Sequence, residues 1–292
     1  MINGNKSLIN VPDFLYDIYD LSTYSNLKKI IFIIYGKIVQ IFFKNTSKKT
    51  FCFFMNILIP KFSDIDFKNG FYYKKLTANL YIFYPNKRIS RVIKPKKGMF
   101  DFIFNSYLLD ALDFTNGDVV IDCGANIGEL NYSLFSKGFQ VNYIGFEPDP
   151  IFYKCLIKNS ISGKEQYFNS ALSNKVTNEK LYISSEGADS SLVYFGQKEY
   201  EVVSTTTLDS LELPDKIKLF KIEAEGFEPE VIQGSLKTLH KIEFISVDFG
   251  PERGQEGKNT IIEVNNLLVE NNFKLVEFNS KRLIGLYKNK SL

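Results

Sequence analysis

The clearest pattern of apolar and polar positions occupies the middle and C-terminal parts of the chain. Short apolar runs alternate there with segments whose apolar side chains recur every three or four positions. Runs of the first kind fit strands buried on both faces; the second spacing fits helices packed along one side. Strands are predicted near 119–123, 141–147, 166–169, 217–222, 242–248, 273–278 and 282–288, and helices near 127–137, 149–160, 228–239 and 259–271. Such alternation predicts a doubly wound α/β sheet with a parallel core. The last two strands are separated only by Asn279, Ser280 and Lys281, which leaves room for a hairpin and none for a crossover. The final strand is therefore antiparallel.

Between 170 and 216 the alternation breaks. Short strands near 181–183 and 201–203 flank a polar loop over 184–191, read as an insertion lining the site. Upstream, Phe100, Ile103, Phe104, Tyr107, Leu108 and Ala111 predict a helix over 99–114. The turn-rich stretch from Lys94 to Gly98 reads as a connector, dividing the chain into a region 1–98 and a domain 99–292.

The chemistry concentrates in the first strand and the turn after it, from Val119 to Glu129. The turn carries Gly124-Ala125-Asn126-Ile127-Gly128, with Asp122 two residues before the first glycine. Glycines allow a ligand close to the backbone, and free N–H groups at a helix start favour a negative ligand group. The spacing is not the G-x-G-x-x-G of a dinucleotide site, and an acid at Asp122 would repel a pyrophosphate. It suits an amine or sulfonium, which S-adenosylmethionine carries. Glu147 ends the second strand, where an acid accepts hydrogen bonds from ribose hydroxyls. Asn169 and Ser170 follow the third strand at the same rim.

Several segments together resemble the FkbM family of S-adenosylmethionine-dependent methyltransferases: 118–128, Gly145-Phe146-Glu147-Pro148, 171–173, 207–209 and 221–234. The resemblance covers 117–253 and implies a class I methyltransferase, Rossmann-like; the short strands read between Phe71 and Val92 add a smaller N-terminal α+β region. It further implies S-adenosylmethionine as cofactor and a helix near 99–114 over the cofactor site. A sugar hydroxyl of a surface polysaccharide, glycolipid or natural product is the implied acceptor. Glu223 departs from the Asp usual in the family. An N-methyltransferase and a non-catalytic subunit retaining the fold stay open as alternatives, and a nicotinamide oxidoreductase is disfavoured by the loop spacing.

A hydroxyl acceptor needs a base. Lys221, Glu223 and Glu225 alternate at the end of the fourth strand, and Asp248 ends the fifth. Glu225 or Glu223 is the first candidate and Asp248 the second, with Lys221 holding one acid charged while another stays near neutral. Arg253 is available to an acceptor anion. The single histidine, His240, precedes the fifth strand, on the far side of the sheet from the ligand. Asp189, Asp209, Glu223 and Asp248 show no dedicated metal spacing, so no metal is expected.

Charge changes the picture of the N-terminal region. Residues 1–100 hold 17 Lys and Arg against five Asp, a balance of +12; the whole chain is +3, so residues 101–292 carry −9. An anionic membrane surface, a lipid-linked pyrophosphate and the acidic domain itself are the candidate partners. The apolar run over 30–43 is broken by Lys37 and Gln40 and falls short of a span. It reads as a docked core helix or strand, or as an interfacial helix. No nucleic-acid module is present in the sequence. Cys52, Cys123 and Cys155 lack C-x-x-C spacing, which points to a reducing cytoplasm, with the inner membrane face as a peripheral site.

Overall fold

The computed structural model describes residues 11–94, 96–183 and 190–292. Two compact units divide the chain, Met1–Met99 and Phe100–Leu292.

The first unit holds helices α1 (Phe14–Ile18), α2 (Asn26–Asn45) and α3 (Lys48–Leu58), then strands β1 (Ile65–Lys68), β2 (Phe71–Lys75) and β3 (Tyr81–Tyr84). The strands form an antiparallel meander in the order β1-β2-β3. Leu15, Val39, Phe51, Met55 and Ile82 are fully buried and form its apolar interior. The run over 30–43 is helical and docks through Phe32, Gly36 and Val39. Gly36 is required there, because a Cβ would lie 2.6 Å from the Val11 side chain. The Lys87 ammonium donates to Phe43 O at 2.6 Å, satisfying a carbonyl at the end of α2. Among the described residues no helix is long and apolar enough to cross a membrane.

Helix α4 (Lys96–Ser106) contains the boundary between the units. The second unit continues through β4 (Val119–Cys123), α5 (Glu129–Ser136), β5 (Asn142–Phe146), α6 (Pro150–Lys158) and β6 (Gln166–Phe168). A small insert follows: β7 (Ala171–Leu172), β8 (Thr177–Tyr182) and β9 (Tyr200–Thr206). Then come β10 (Ile217–Ile222), α7 (Glu228–Gln233), β11 (Ile242–Asp248), α8 (Ile261–Glu270), β12 (Phe273–Asn279) and β13 (Ile284–Asn289).

Seven strands make the main sheet in the order β12-β13-β11-β10-β4-β5-β6. All neighbours are parallel except at β13, which is antiparallel to both β11 and β12. This is the doubly wound sheet with an antiparallel last strand expected from the sequence. From β4 the chain winds outward to β5 and β6, and from β10 the other way to β11. The switch point therefore lies between β4 and β10, where open α/β sheets bind ligands beyond the strand carboxyl ends. Ile121, Phe146, Phe220, Ile222, Ile245 and Val247 hold the strands in one buried cluster.

All five helices predicted from apolar spacing are shorter than expected, and at two of them a left-handed residue marks the end. Leu108 takes a left-handed conformation at φ 61°, ending α4 at Ser106 instead of 114. Asn126 and Gly128, at φ 51° and 87°, delay α5 to Glu129. Helix α7 stops at Gln233, and glycine is required at the next position, where a Cβ would meet Ser173 O at 1.9 Å. The insert pairs β9 with β7 in parallel and with β8 in antiparallel register, making a separate small sheet. Most of the predicted loop, residues 184–189 with Asp189, lies outside the described residues.

Candidate active site

Register assembles the centre of the site. Lys221 on β10 pairs with Asp122 on β4, and Asp122 in turn pairs with Gly145 on β5. Asp122 and Lys221 are 1% and 2% exposed. The Lys221 ammonium lies 2.9 Å from Asp122 Oδ1 and 3.1 Å from Glu223 Oε2. It also donates to Cys123 O at 3.1 Å and Gly124 O at 3.0 Å. One lysine thus ties the end of β4, the glycine loop and the end of β10 together. Burial alone would lower its pKa, but Asp122 and Glu223 outweigh that and hold it well above the ordinary range.

Two tyrosines complete the cluster. The Tyr143 hydroxyl donates to Asp122 Oδ2, and the Tyr107 hydroxyl donates to Glu223 Oε2. Burial first, then the neighbouring carboxylates, raise both phenols, so they remain protonated donors. Asp122 Oδ1 has the lysine as ion partner but no bond of hydrogen-bond geometry. Burial raises the Asp122 pKa against the pull of Lys221 and Tyr143. Asp122 is therefore an internal strut, enclosed at the site's base.

The glycine loop spends its donors internally. Gly124 and Ala125 N–H both donate to Phe146 O, Asn126 N–H to Glu147 Oε2, Ile127 N–H to Asn126 Oδ1, and Gly128 N–H to Ala125 O. The N–H groups of residues 124–128 are thus committed within the protein. Gly124, at φ +75°, passes so near β10 that a Cβ would lie 2.1 Å from Glu223 O.

Glu147 is buried at the end of β5. It accepts Asn126 N–H at 2.8 Å and Asp149 N–H at 2.9 Å, one on each oxygen. Burial raises its pKa to about 8, against those two bonds. Asn169 donates to the carbonyls of Glu147 and Pro148, fixing the β6 exit beside it, and Ser170 follows, half-buried.

The acids at the rim separate in character. Burial would raise Glu223, but Lys221 and the Tyr107 hydroxyl reverse this and hold it at about 2. Asp248 goes the other way: burial, then repulsion from Glu223, raise it to about 7, opposed by Arg282, 3.8 Å away. Glu225 adopts φ 50°, and its carbonyl accepts the Ser191 hydroxyl at 2.6 Å, joining the insert to the exit of β10.

Other candidates stand elsewhere. Arg253 is committed to both Glu230 oxygens and to Gly226 O, which corrects its reading as an acceptor anchor. Asp209 accepts the N–H groups of Lys237 and Thr238 and belongs to that turn, away from any metal role. His240 is exposed in the turn Leu239–Lys241, at the amino end of β11. Cys123 packs in the core. Among the described residues no group of three or more His, Cys, Asp or Glu side chains is placed to hold a metal.

Tyr107, Tyr143 and Arg282 had not been read as site residues. Their sequence signal was only apolar periodicity or strand membership.

The sequence model of the methyltransferase FkbM domain matches residues 122–275, more than half of the chain. The chain belongs to the FkbM methyltransferase family. It is an S-adenosylmethionine-dependent methyltransferase, and S-adenosylmethionine is its cofactor. No curated protein matches it. Among solved structures it is similar to a protein of the NADB-Rossmann superfamily from Streptococcus agalactiae, at 14% identity and TM-score 0.40, covering 63% of this chain and 68% of that one. A Leishmania major SAM-dependent methyltransferase follows at 12% identity and TM-score 0.39, covering 66% and 72%. One from Aquifex aeolicus shows 12% identity and TM-score 0.38, covering 65% and 88%. These scores are low, and the fold assignment rests on strand order and direction instead.

The residues present fit the FkbM cofactor. Glu147, Glu223 and Asp248 close three strands at the carboxyl edge of the sheet, and the Gly124–Gly128 turn is tied to Glu147 through Asn126 N–H. Acids gather at the rim, which suits a sulfonium and an amino group.

Proposed function

We propose that the protein transfers the methyl group of S-adenosylmethionine to a hydroxyl of a sugar-containing acceptor. One observation carries the reading: two neighbouring acids are driven apart, Glu223 to about 2 and Asp248 to about 7. A carboxylate poised near neutral pH at the ligand rim is suited to general base work. A residue held at about 2 is a poor base, so Asp248 takes precedence over Glu223.

When bound, the cofactor supplies an electrophilic methyl group on a sulfonium. Glu147 would hold the ribose, and the glycine turn, Asn169 and Ser170 would line the cofactor beside it. Glu223, fixed by Lys221 and Tyr107, presents a permanent negative charge to the amino end. Asp248 would take the proton of the acceptor hydroxyl as the hydroxyl oxygen bonds to the methyl carbon and the carbon–sulfur bond breaks, leaving S-adenosylhomocysteine. Most of the remaining acceleration comes from alignment.

The insert supports a sugar acceptor. Tyr182 meets Tyr194 at 5.1 Å and Tyr200 at 6.2 Å between ring centroids, and Tyr194 and Tyr200 are 47% and 48% exposed. Tyr182 N–H donates to Ser191 O, and Ser191 reaches Glu225 O, so the rings are anchored to the β10 exit. Exposed tyrosines offer an apolar ring and a polar tip, which match the two characters of a pyranose.

Incubation with methyl-labelled S-adenosylmethionine and parallel sets of neutral oligosaccharides and amines tests this. Label in the neutral sugars is expected. Label confined to amines would overturn the hydroxyl acceptor. Failure of S-adenosylhomocysteine to bind in a calorimetric titration would remove the site itself.

A further inference from the structure

Helix α2 bears two apolar faces, and the fold uses one. Phe32, Gly36 and Val39 dock inward. Leu27, Ile30, Ile31, Ile34, Ile38 and Ile41 recur at intervals of three and four residues and are 41–68% exposed. With 3.6 residues per turn they fall in one stripe about 100° wide. Phe53 and Ile57, one turn apart on α3, are 60% and 58% exposed. Scattered exposed hydrophobes are ordinary, but an aligned row marks an interaction surface.

Charge says what covers the row. From Leu21 to Ser63 the chain has seven lysines and no acid. On α2, Lys28 lies beyond one edge of the stripe, and Lys37 and Lys44 lie beyond the other, all exposed. Lys48 and Lys49 continue the basic border onto α3. An apolar row between cationic margins fits a helix lying in a bilayer interface, with acyl chains against isoleucine and lysine stems reaching lipid phosphates. A second copy would set these lysine margins against their like, which opposes pairing. Helix α2 is also unfit to span a bilayer.

We propose that the exposed face of α2, continued by Phe53 and Ile57, docks this protein on an anionic membrane surface as an interfacial helix. Cofactor binding and methyl transfer do not depend on it.

The chain has no tryptophan, so Ile38→Trp places a single, selectively excitable tryptophan in the stripe while keeping it apolar. The full chain would be titrated with phosphatidylcholine vesicles, with and without phosphatidylglycerol. A blue shift and co-sedimentation only with the anionic vesicles, both lost at high salt, are expected. Lys37→Gln with Lys44→Gln should lower partitioning about 25-fold, from roughly fivefold per lysine near such a surface. The triple change Ile31→Asp, Ile34→Asp, Ile38→Asp should abolish binding while the thermal melt and S-adenosylhomocysteine binding stay unchanged. Absence of the shift, or equal binding to neutral vesicles, would overturn the proposal. So would a dimer that the Asp variant dissolves while vesicles leave the chain unbound.

Discussion

The leading exception to the rule of apolar inside and polar outside differs between the two units. In the second unit the exception is ionisable groups placed inside: Lys221, Asp122 and Glu147 are all buried at the carboxyl edge of the sheet. In the first unit it is apolar surface left outside, along α2. Their costs differ. A buried charge without partners costs several kcal/mol, so each of these has acquired partners from other strands and loops. An exposed isoleucine costs little in the folded chain, so nothing in the fold compels a partner. The first exception is internally closed and shapes chemistry; the second is open and needs something outside the chain.

The largest expected effect tests whether the closed cluster serves catalysis. Asp248→Asn removes the proposed base with little change of shape. It should lower kcat about 10²- to 10⁴-fold while leaving S-adenosylhomocysteine affinity intact. In the parent enzyme kcat should rise with pH through about 7 as Asp248 loses its proton, then level off. The variant should lack that limb. An unchanged pH profile would return the base role to Glu225.

Lys221→Met tests closure itself. It leaves Asp122 and Glu223 buried or half-buried without their cation, a loss of about 3–5 kcal/mol. Chemical denaturation should show it, and cofactor binding should fall with it, because the same ammonium holds the carbonyls of Cys123 and Gly124. A variant as stable as the parent would show that the cluster is not a structural keystone.

These contrasts also explain what was legible in the sequence. The sheet was readable because parallel strands buried on both faces leave continuous apolar runs, and the acids at their ends stand out against them. Asp122, Glu147, Glu223 and Asp248 all fall at the carboxyl edge as expected. What each does there was not readable, since it depends on depth. Asp122 looked like a ligand contact, yet it lies enclosed behind Tyr143 and Lys221. Glu223 and Asp248 look alike as letters; only Lys221 and Tyr107 beside one, and burial of the other, drive them apart. Tyr107 donates to Glu223, a contact that apolar periodicity does not reveal. On α2 the run over 30–43 showed abundance of apolar residues, while the division into docked and open faces required the packed structure.

A smaller effect sharpens the comparison at Glu147. Its pKa stands at about 8 without ligand, so near pH 7 most of it is protonated. Ribose hydroxyls donate best to the carboxylate. Binding should therefore release a proton, and affinity should rise as pH climbs towards 8 and flatten above it, by up to about tenfold per pH unit. Calorimetry in buffers of different ionisation enthalpy reads the proton directly. Glu147→Gln should erase the pH dependence; its persistence would mean that another group titrates.

The smallest expected effect probes the open surface. Ile34 and Phe32 sit two residues apart on α2 and face opposite ways, one exposed and one buried. Phe32→Ala should cost about 3–5 kcal/mol, as buried aromatic truncations do. It also removes ring contacts with Tyr16 and Tyr19 at 5.6 and 5.7 Å. Ile34→Gln should change stability by no more than about 0.5 kcal/mol, the range of ordinary surface changes. Paired denaturation curves in the absence of lipid would measure both. A large loss at Ile34 would mean that its face is covered within the free protein, and the contrast between a closed unit and an open one would fall.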